Sequence, residues 1–231
     1  MLNWVQAQSE KEAAVLRKLG CKNVEVGSDL RGLHYLHSHT YEKTGMNSLN
    51  WNDRKGICFL SLHADELAAV LPAIQILCPQ NPLFVFPRKM EELDRFKNRL
   101  IPLGFVLHSQ NPNALLILVD AFGHVPEYLK RCHTTVIGGS FSPYGGHNLW
   151  EPLVAGTSMV IGPQHWNQNY LVHKLEKAGL LRISNKSLNA EILQKPETDP
   201  GHACREFMER EKQILQGVAH RVARRAYRDE R

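Results

Sequence analysis

The residue types best able to do chemistry gather in one stretch, Val136-Ile137-Gly138-Gly139-Ser140-Phe141-Ser142-Pro143-Tyr144-Gly145-Gly146-His147-Asn148-Leu149-Trp150-Glu151-Pro152. An apolar run ends in paired glycines, a second pair follows, and a helix can open at Asn148. Glycine lets the backbone approach a bound group closely and take positive φ. Free N–H groups and the dipole at a helix start favour an anion such as phosphate. Asn148 with Glu151 three residues later also has capping-box spacing, so a capped helix after a flexible turn explains the same residues. The pattern is neither GxGxxG nor a Walker loop, and a Rossmann dinucleotide site or an ATPase is unsupported.

Three other segments end apolar runs that read as strands. Phe86-Pro87-Arg88 puts an arginine just past a buried strand, where its planar fork can grip a phosphate. An arginine on the first turn of a helix is the plain alternative. Asp120-Ala121-Phe122-Gly123-His124-Val125 brings backbone amides to the same edge, and Ser61-Leu62-His63-Ala64-Asp65-Glu66 opens a helix that Ser61 or Asp65 can cap. His34, His37 and His39 have no acidic or cysteine partner at ligand spacing and read as loop histidines, not a metal site. No two carboxylates fall on adjacent strand ends, which disfavours a glycosidase. Trp150 and Trp166 suit either stacking on a base or sugar, or core packing under the glycine loop.

The elements that must hold these residues alternate. Gln8 to Leu19, Asp65 to Leu77, Glu91 to Leu103, Pro126 to Arg131, Leu149 to Ala155 and Asn167 to Ala178 read as helices. Val24 to Gly27, Gly56 to Leu62, Leu83 to Phe86, Ala114 to Val119, Thr134 to Ile137 and Ser158 to Ile161 read as strands. Residues 31–54 read as a polar loop or linker, and Lys195 to Gly201 as a hinge before a long last helix. Short apolar strands alternating with helices predict an α/β domain, a doubly wound, mainly parallel sheet. Ligands of such sheets sit outside the carboxyl ends of the strands, where strand order reverses.

At 231 residues, 43% hydrophobic and 22% charged, the chain has the composition of one globular domain or two small ones, not of a disordered or collagenous protein. Five scattered cysteines with no CxxC suit reduced thiols and a cytoplasmic setting. No apolar run approaches the roughly 18 residues of a membrane span, and Met1-Leu2-Asn3-Trp4 does not begin a signal peptide. Of the formal net charge of +5, Gly217 onward supplies +3, five arginines against Asp229 and Glu230. Basic residues confined to one terminal helix, with no exposed aromatics interleaved, argue against nucleic acid. They suit a solvated or domain-bridging helix, a partner domain or an anionic membrane surface.

In order, Gly-Gly-Ser, Gly-Gly-His-Asn, Glu-Pro and the Ile-Gly-Pro turn at Ile161 resemble the C-terminal half of 3-deoxy-D-manno-octulosonic acid (Kdo) transferases. These are inverting GT-B glycosyltransferases that add Kdo from CMP-Kdo to lipid A precursors. Pro87-Arg88 matches the family's Pro-Arg, Ser61-Leu62-His63 with Glu66 its Ser-Thr-His…Glu, Gly123-His124-Val125 its Gly-Glu-Met, and Asn148-Leu149-Trp150-Glu151 its Asn-Pro-Leu-Glu. Gln8-Ser9-Glu10 with Leu19-Gly20 resembles the start of the second Rossmann-like domain, so the likeness runs from Val5 to Gly179. His124 stands where the family has an acidic residue and Tyr144 where it usually has a basic one.

The resemblance implies a donor-binding Rossmann-like domain over residues 1–200 and a basic C-terminal helix over 201–231. It implies a nucleotide-sugar site of Pro87, Arg88, Gly123, His124, Val125, Ser140, Gly146, Asn148, Leu149, Trp150 and Glu151, with no metal and no cofactor. Arg88 would pair with the phosphate, Ser140, Gly146 and the amides at Asn148 would cradle it, Glu151 would accept from the ribose, and Gly123 to Val125 would read cytosine. The implied partners are a CMP-sugar and, through a first domain with no counterpart here, a lipid A precursor. That first domain carries the family's catalytic base, which no residue of this chain matches. The implied place is the cytoplasm, with peripheral contact at the inner membrane.

Overall fold

The computed structural model describes residues 4–37, 50–78 and 80–229. They fall into two compact units, one of residues 39–204 and one of residues 1–38 with 205–231. The division therefore runs differently from a break at residue 200, since the N-terminal segment groups with the terminal helix.

The larger unit holds strands β3 (Gly56–Leu62), β4 (Leu83–Pro87), β5 (Val106–Leu107), β6 (Leu116–Leu118), β7 (Cys132–Ile137), β8 (Ser158–Ile161) and β9 (Leu181–Ile183). They form one seven-stranded sheet in the order β5-β6-β4-β3-β7-β8-β9, with every pairing parallel. Between them run α3 (Leu67–Leu77), α4 (Leu93–Leu100), α5 (Val125–Leu129), α6 (Trp150–Val154) and α7 (Asn169–Lys177). The chain builds the sheet outward from β3 to one side through β4 to β6, then returns to lay β7 on the other side. Strand order thus reverses between β3 and β7.

Alternation along the strands makes two cores. Ile57, Phe59, Leu83, Val85 and Val136 pack against Val70 and Ile74 of α3 and Phe96 and Leu100 of α4. Cys58, Leu60, Phe84 and Phe86 point to the opposite face, against Tyr128 and Leu129. Strands covered on both faces must be apolar at nearly every position, as Gly56 to Leu62 is.

Helix by helix, the bounds expected from sequence are close. Asp65 to Leu77 begins with a 3-10 turn at Ala64–Glu66, and Asn167 to Ala178 with one at Trp166–Gln168. The span read as a loop from Arg31 to Arg54 contains a helix, α2 (Gly32–His37), and a 3-10 turn at Trp51–Asp53; residues 38–49 of that span, His39 included, lie outside the described residues.

The smaller unit holds β1 (Val5–Ala7), α1 (Glu10–Lys18), β2 (Val24–Val26), α2 and most of α8 (Gly201–Asp229). Ser9 caps α1 by accepting from the Glu12 amide. Two ties bind α8 to the segment after β1 within this unit. Buried Ser28 donates to the buried Glu211 carboxylate, and Arg221 pairs with Glu25 at 2.9 Å. Part of the basic charge at the C-terminus is thereby met by an acid of the same unit. No helix among the described residues is long and apolar enough to cross a membrane.

Candidate functional site

At the carboxyl ends of β3 and β7 the two strands come close together. Ser61 takes a left-handed conformation, φ 57°, at the irregularity that ends β3. Strain of this kind in a non-glycine residue tends to collect at functional clefts. Opposite it, a Cβ on Gly138 would lie 2.1 Å from the Ser61 carbonyl oxygen, so only glycine fits there.

The glycine-rich segment that follows is held by one side chain. Glu66, fully buried, accepts from the amides of Gly139 (2.8 Å), Ser140 (2.9 Å) and Phe141 (2.9 Å), and from His63 of its own turn (2.8 Å). A carboxylate satisfied by four N–H donors is a framework group. It has no lone pair left for a substrate proton.

Ser140 is likewise spent inside the protein. Its hydroxyl donates to the Ile137 carbonyl oxygen (2.5 Å) and accepts from the Gly162 amide (2.8 Å). The amides of Gly146 and His147 donate to the carbonyl oxygens of Gly139 and Gly138. The cradle expected from Ser140 and Gly146 is therefore a self-bonded loop, and those two residues shape the cleft without offering groups to it. Nothing in sequence spacing links Glu66 to residues more than seventy positions away; only its place in the Ser-Leu-His…Glu resemblance marked it.

Several polar side chains follow the carboxyl ends of the same strands. Arg88 follows the buried Pro87, and its amide donates to the Leu62 carbonyl oxygen at 2.7 Å, which ties the end of β4 to β3. Its guanidinium is exposed and forms no ion pair among the described residues. Its charge is nevertheless felt at His147 and at Glu151, so the three share one locality. Burial pushes the Glu151 carboxyl above the usual carboxylate range, opposed by a hydrogen bond from Asn148 and by Arg88. Burial, with Arg88 and His63 nearby, lowers His147 to about 4, so it is neutral at pH 7.

His147 Nε2 lies 2.9 Å from His63 Nε2, one nitrogen donating to the other, and the Tyr144 ring stacks on His63 with 3.8 Å between centroids. Tyr144 also donates from its hydroxyl to Asp65 at 3.1 Å. This aromatic wall is absent from any reading of motif spacing, because Tyr144 and His147 of the glycine-rich loop meet His63 from the loop after β3.

Other expectations resolve differently. Asn148 does not close a capping box; its side-chain oxygen accepts from the Trp150 amide at 3.0 Å, two residues on, while its amide serves Glu151. Leu149 and Trp150 have their side chains in the core, so Trp150 packs under the loop and Trp166, 47% exposed, is the tryptophan open to solvent. Gly123, His124 and Val125 lie beyond β6, two strands from β3. There the His124 ring meets His108 with centroids 4.0 Å apart, and its Nδ1 lies 3.3 Å from Glu127. They share the carboxyl edge with Arg88 but form a cluster of their own. No group of three or more His, Cys, Asp or Glu among the described residues is placed to hold a metal ion.

Known proteins give the site a context. No family model matches the chain. The 3-deoxy-D-manno-octulosonic acid transferase of Aquifex aeolicus is 32% identical over 123 residues, which is 52% of this chain and 35% of the relative. The Rickettsia prowazekii transferase of the same name is 27% identical over 165 residues, 68% of this chain and 36% of the relative. The chain thus spans about a third of the length of these relatives.

Among solved structures, the C-terminal CMP-Kdo binding domain of WaaA from Acinetobacter baumannii superposes with a TM-score of 0.54 at 21% identity, over 83% of this chain and 98% of that one. Anabaena HepE in complex with UDP gives 0.61 at 15% identity, over 96% of this chain and 64% of that one. The chain is thus similar in sequence to Kdo transferases and shares the α/β fold of the Acinetobacter domain.

Proposed function

We propose that this chain is the donor-holding part of a glycosyltransferase that moves Kdo from CMP-Kdo to a lipid A precursor in lipopolysaccharide synthesis. The observation that carries the reading is the Arg88 guanidinium, exposed and without an ion pair among the described residues, whose charge acts on Glu151 at the reversal of strand order, in a chain similar in sequence to Kdo transferases. Arg88 pairs with the nucleotide phosphate and stabilises the charge that develops on it as CMP leaves. Glu151, oriented by Asn148, accepts from the ribose hydroxyls. The backbone from Gly123 to Val125 reads the cytosine edge, and the His63–His147–Tyr144 wall lines the side of the cleft.

The transfer is a direct displacement at the anomeric carbon with inversion. It needs a base on the acceptor hydroxyl and an acceptor held in line with that carbon. Glu66 is saturated and is not that base. Both requirements are assigned to a partner domain, and the terminal arginines to a peripheral position on the cytoplasmic face of the inner membrane.

Calorimetric titration tests the donor. CMP is expected to bind more tightly than UDP or GDP. A preference for UDP would replace this reading with that of another GT-B nucleotide-sugar transferase, which the likeness to HepE favours. Incubated alone with CMP-Kdo and a lipid A precursor, the chain is expected to transfer nothing. Robust transfer would mean that a base is present in it.

A further inference from the structure

We propose that the His63–His147 pair is a second cation for the phosphate at Arg88: one proton enters the pair when a phosphate binds there and leaves with it. The phosphate is that of the reading above, on which the proposal rests.

The geometry has room for one more proton. His63 Nε2 and His147 Nε2 stand 2.9 Å apart, so one carries a hydrogen and the other a lone pair. His63 is 4% exposed, and its other ring nitrogen, Nδ1, is buried with no hydrogen-bond partner. A buried polar atom left without a partner is destabilising, and a fold that keeps one calls for a reason. Glu92 Oε2 lies 4.0 Å from that Nδ1. With both nitrogens of His63 protonated, Nε2 donates to His147 and Nδ1 presents its hydrogen to a carboxylate at ion-pair distance. The charged pair is better satisfied than the neutral one.

The surroundings decide when the proton enters. Burial, then Arg88 and His63, lower His147 to about 4. A phosphate paired with Arg88 cancels a charge that opposes protonation and adds negative charge near the ring. The other charged or titratable groups close by are Glu92 from the turn after β4, Asp65 and Glu66 from the turn after β3, Tyr144 of the glycine-rich loop, and Glu151 of α6, which also feels Arg88. Asp65 accepts from the Tyr144 hydroxyl, and Glu66 is filled by four amides. Glu92 is therefore the carboxylate that faces Nδ1, while the stacked Tyr144 ring holds His63 in place.

Two rings in contact titrate as a unit, so the proton belongs to the pair. Its charge joins that of Arg88 beside the phosphate, where negative charge grows as CMP leaves. The proton itself stays on the rings.

Calorimetric titration with the methyl ester of CMP tests this, because its phosphodiester does not itself titrate near neutral pH. Heats measured in two buffers of different ionisation enthalpy count the protons taken up with each nucleotide. An ordinary imidazole titrates at about pH 6.5, so over about half a proton should enter at about pH 6 and almost none at about pH 8, with affinity about fourfold higher at the lower pH. The His147 ring resonances should titrate at higher pH with the nucleotide than without it. His147→Asn should abolish the uptake. Glu92→Gln, which removes the charge facing Nδ1 and keeps an acceptor for the Ala64 amide, should lower it by about half or more.

Binding without proton uptake, uptake untouched by Glu92→Gln, or uptake that persists in His147→Asn and so belongs to Glu151 would each overturn the proposal and leave the donor reading standing. Failure of the nucleotide to bind at any of these pH values would overturn the donor reading, and the proposal with it.

Discussion

Arg88 and Glu151 can be told apart by what each does to phosphate and to ribose. Arg88 is exposed and forms no ion pair among the described residues, so Arg88→Ala should leave the melting temperature unchanged. Loss of a charge-assisted hydrogen bond should weaken CMP by about 1.5–3 kcal/mol and leave cytidine alone. Glu151 is different because burial raises its carboxyl. The folded state then keeps a proton that the unfolded chain has already lost. The group favours folding at low pH, and that contribution disappears as pH rises from the ordinary carboxylate range through the raised folded value. Glu151→Gln removes this dependence, so urea unfolding at pH 7 should find the variant at least as stable as wild type. Titration should find both cytidine and CMP weakened by about 1.5–3 kcal/mol, since the contact is to the sugar. A variant that loses stability and keeps its affinity would move the ribose site elsewhere.

Elements meet at the glycine-rich segment through Glu66, and its removal should be felt by β3, β7 and α3 together. Glu66→Ala leaves four buried or half-buried amides without their acceptor. With a net worth of about 1.5–3 kcal/mol for a hydrogen bond to a charged group, the loss should exceed about 3 kcal/mol in chemical denaturation. An unchanged midpoint would show that water replaces the carboxylate. The same element marks the boundary of what sequence discloses. Fully covered strands such as Gly56 to Leu62 are visible because burial on both faces demands a continuous apolar run. β1, β5 and β9, two or three residues long, have no period to show. The glycines at 138–146 announce a tight backbone, yet whether its amides face a ligand or a carboxylate depends on a residue far away in the chain. Asn148 and Arg88 both act on the Glu151 carboxyl; Leu149 and Trp150, from the same motif, turn inward because the short α6 must bury its apolar side, and Ser140 because its hydroxyl joins Ile137 to Gly162.

Across the larger unit, two histidines set how the fold answers acid. His133 is 3% exposed on β7, bonded to Thr134 at 2.8 Å, and burial with Lys195 and Arg182 nearby lowers it to about 4. His147, half-buried in the cleft, is also lowered to about 4. An unfolded chain protonates both near pH 6.5, whereas the folded one resists until about pH 4. The unfolded state thus binds more protons in that window, and stability must fall as pH drops from about 6.5 to about 4. The full loss from His133 is about 3 kcal/mol, and that from His147 is smaller because solvent reaches its ring. Glu151, raised by burial, acts in the opposite sense and reduces the slope where it titrates. Urea titrations at half-unit steps measure it directly. His133→Gln should flatten that slope without changing CMP affinity, because the residue lies within β7 rather than at its carboxyl end. His147→Asn should flatten it less and change CMP affinity as well, because its ring stands beside Arg88. A stability curve flat from pH 7 to pH 5 in the wild-type chain would mean that both rings reach water in the folded protein, and with them the wall of the proposed cleft.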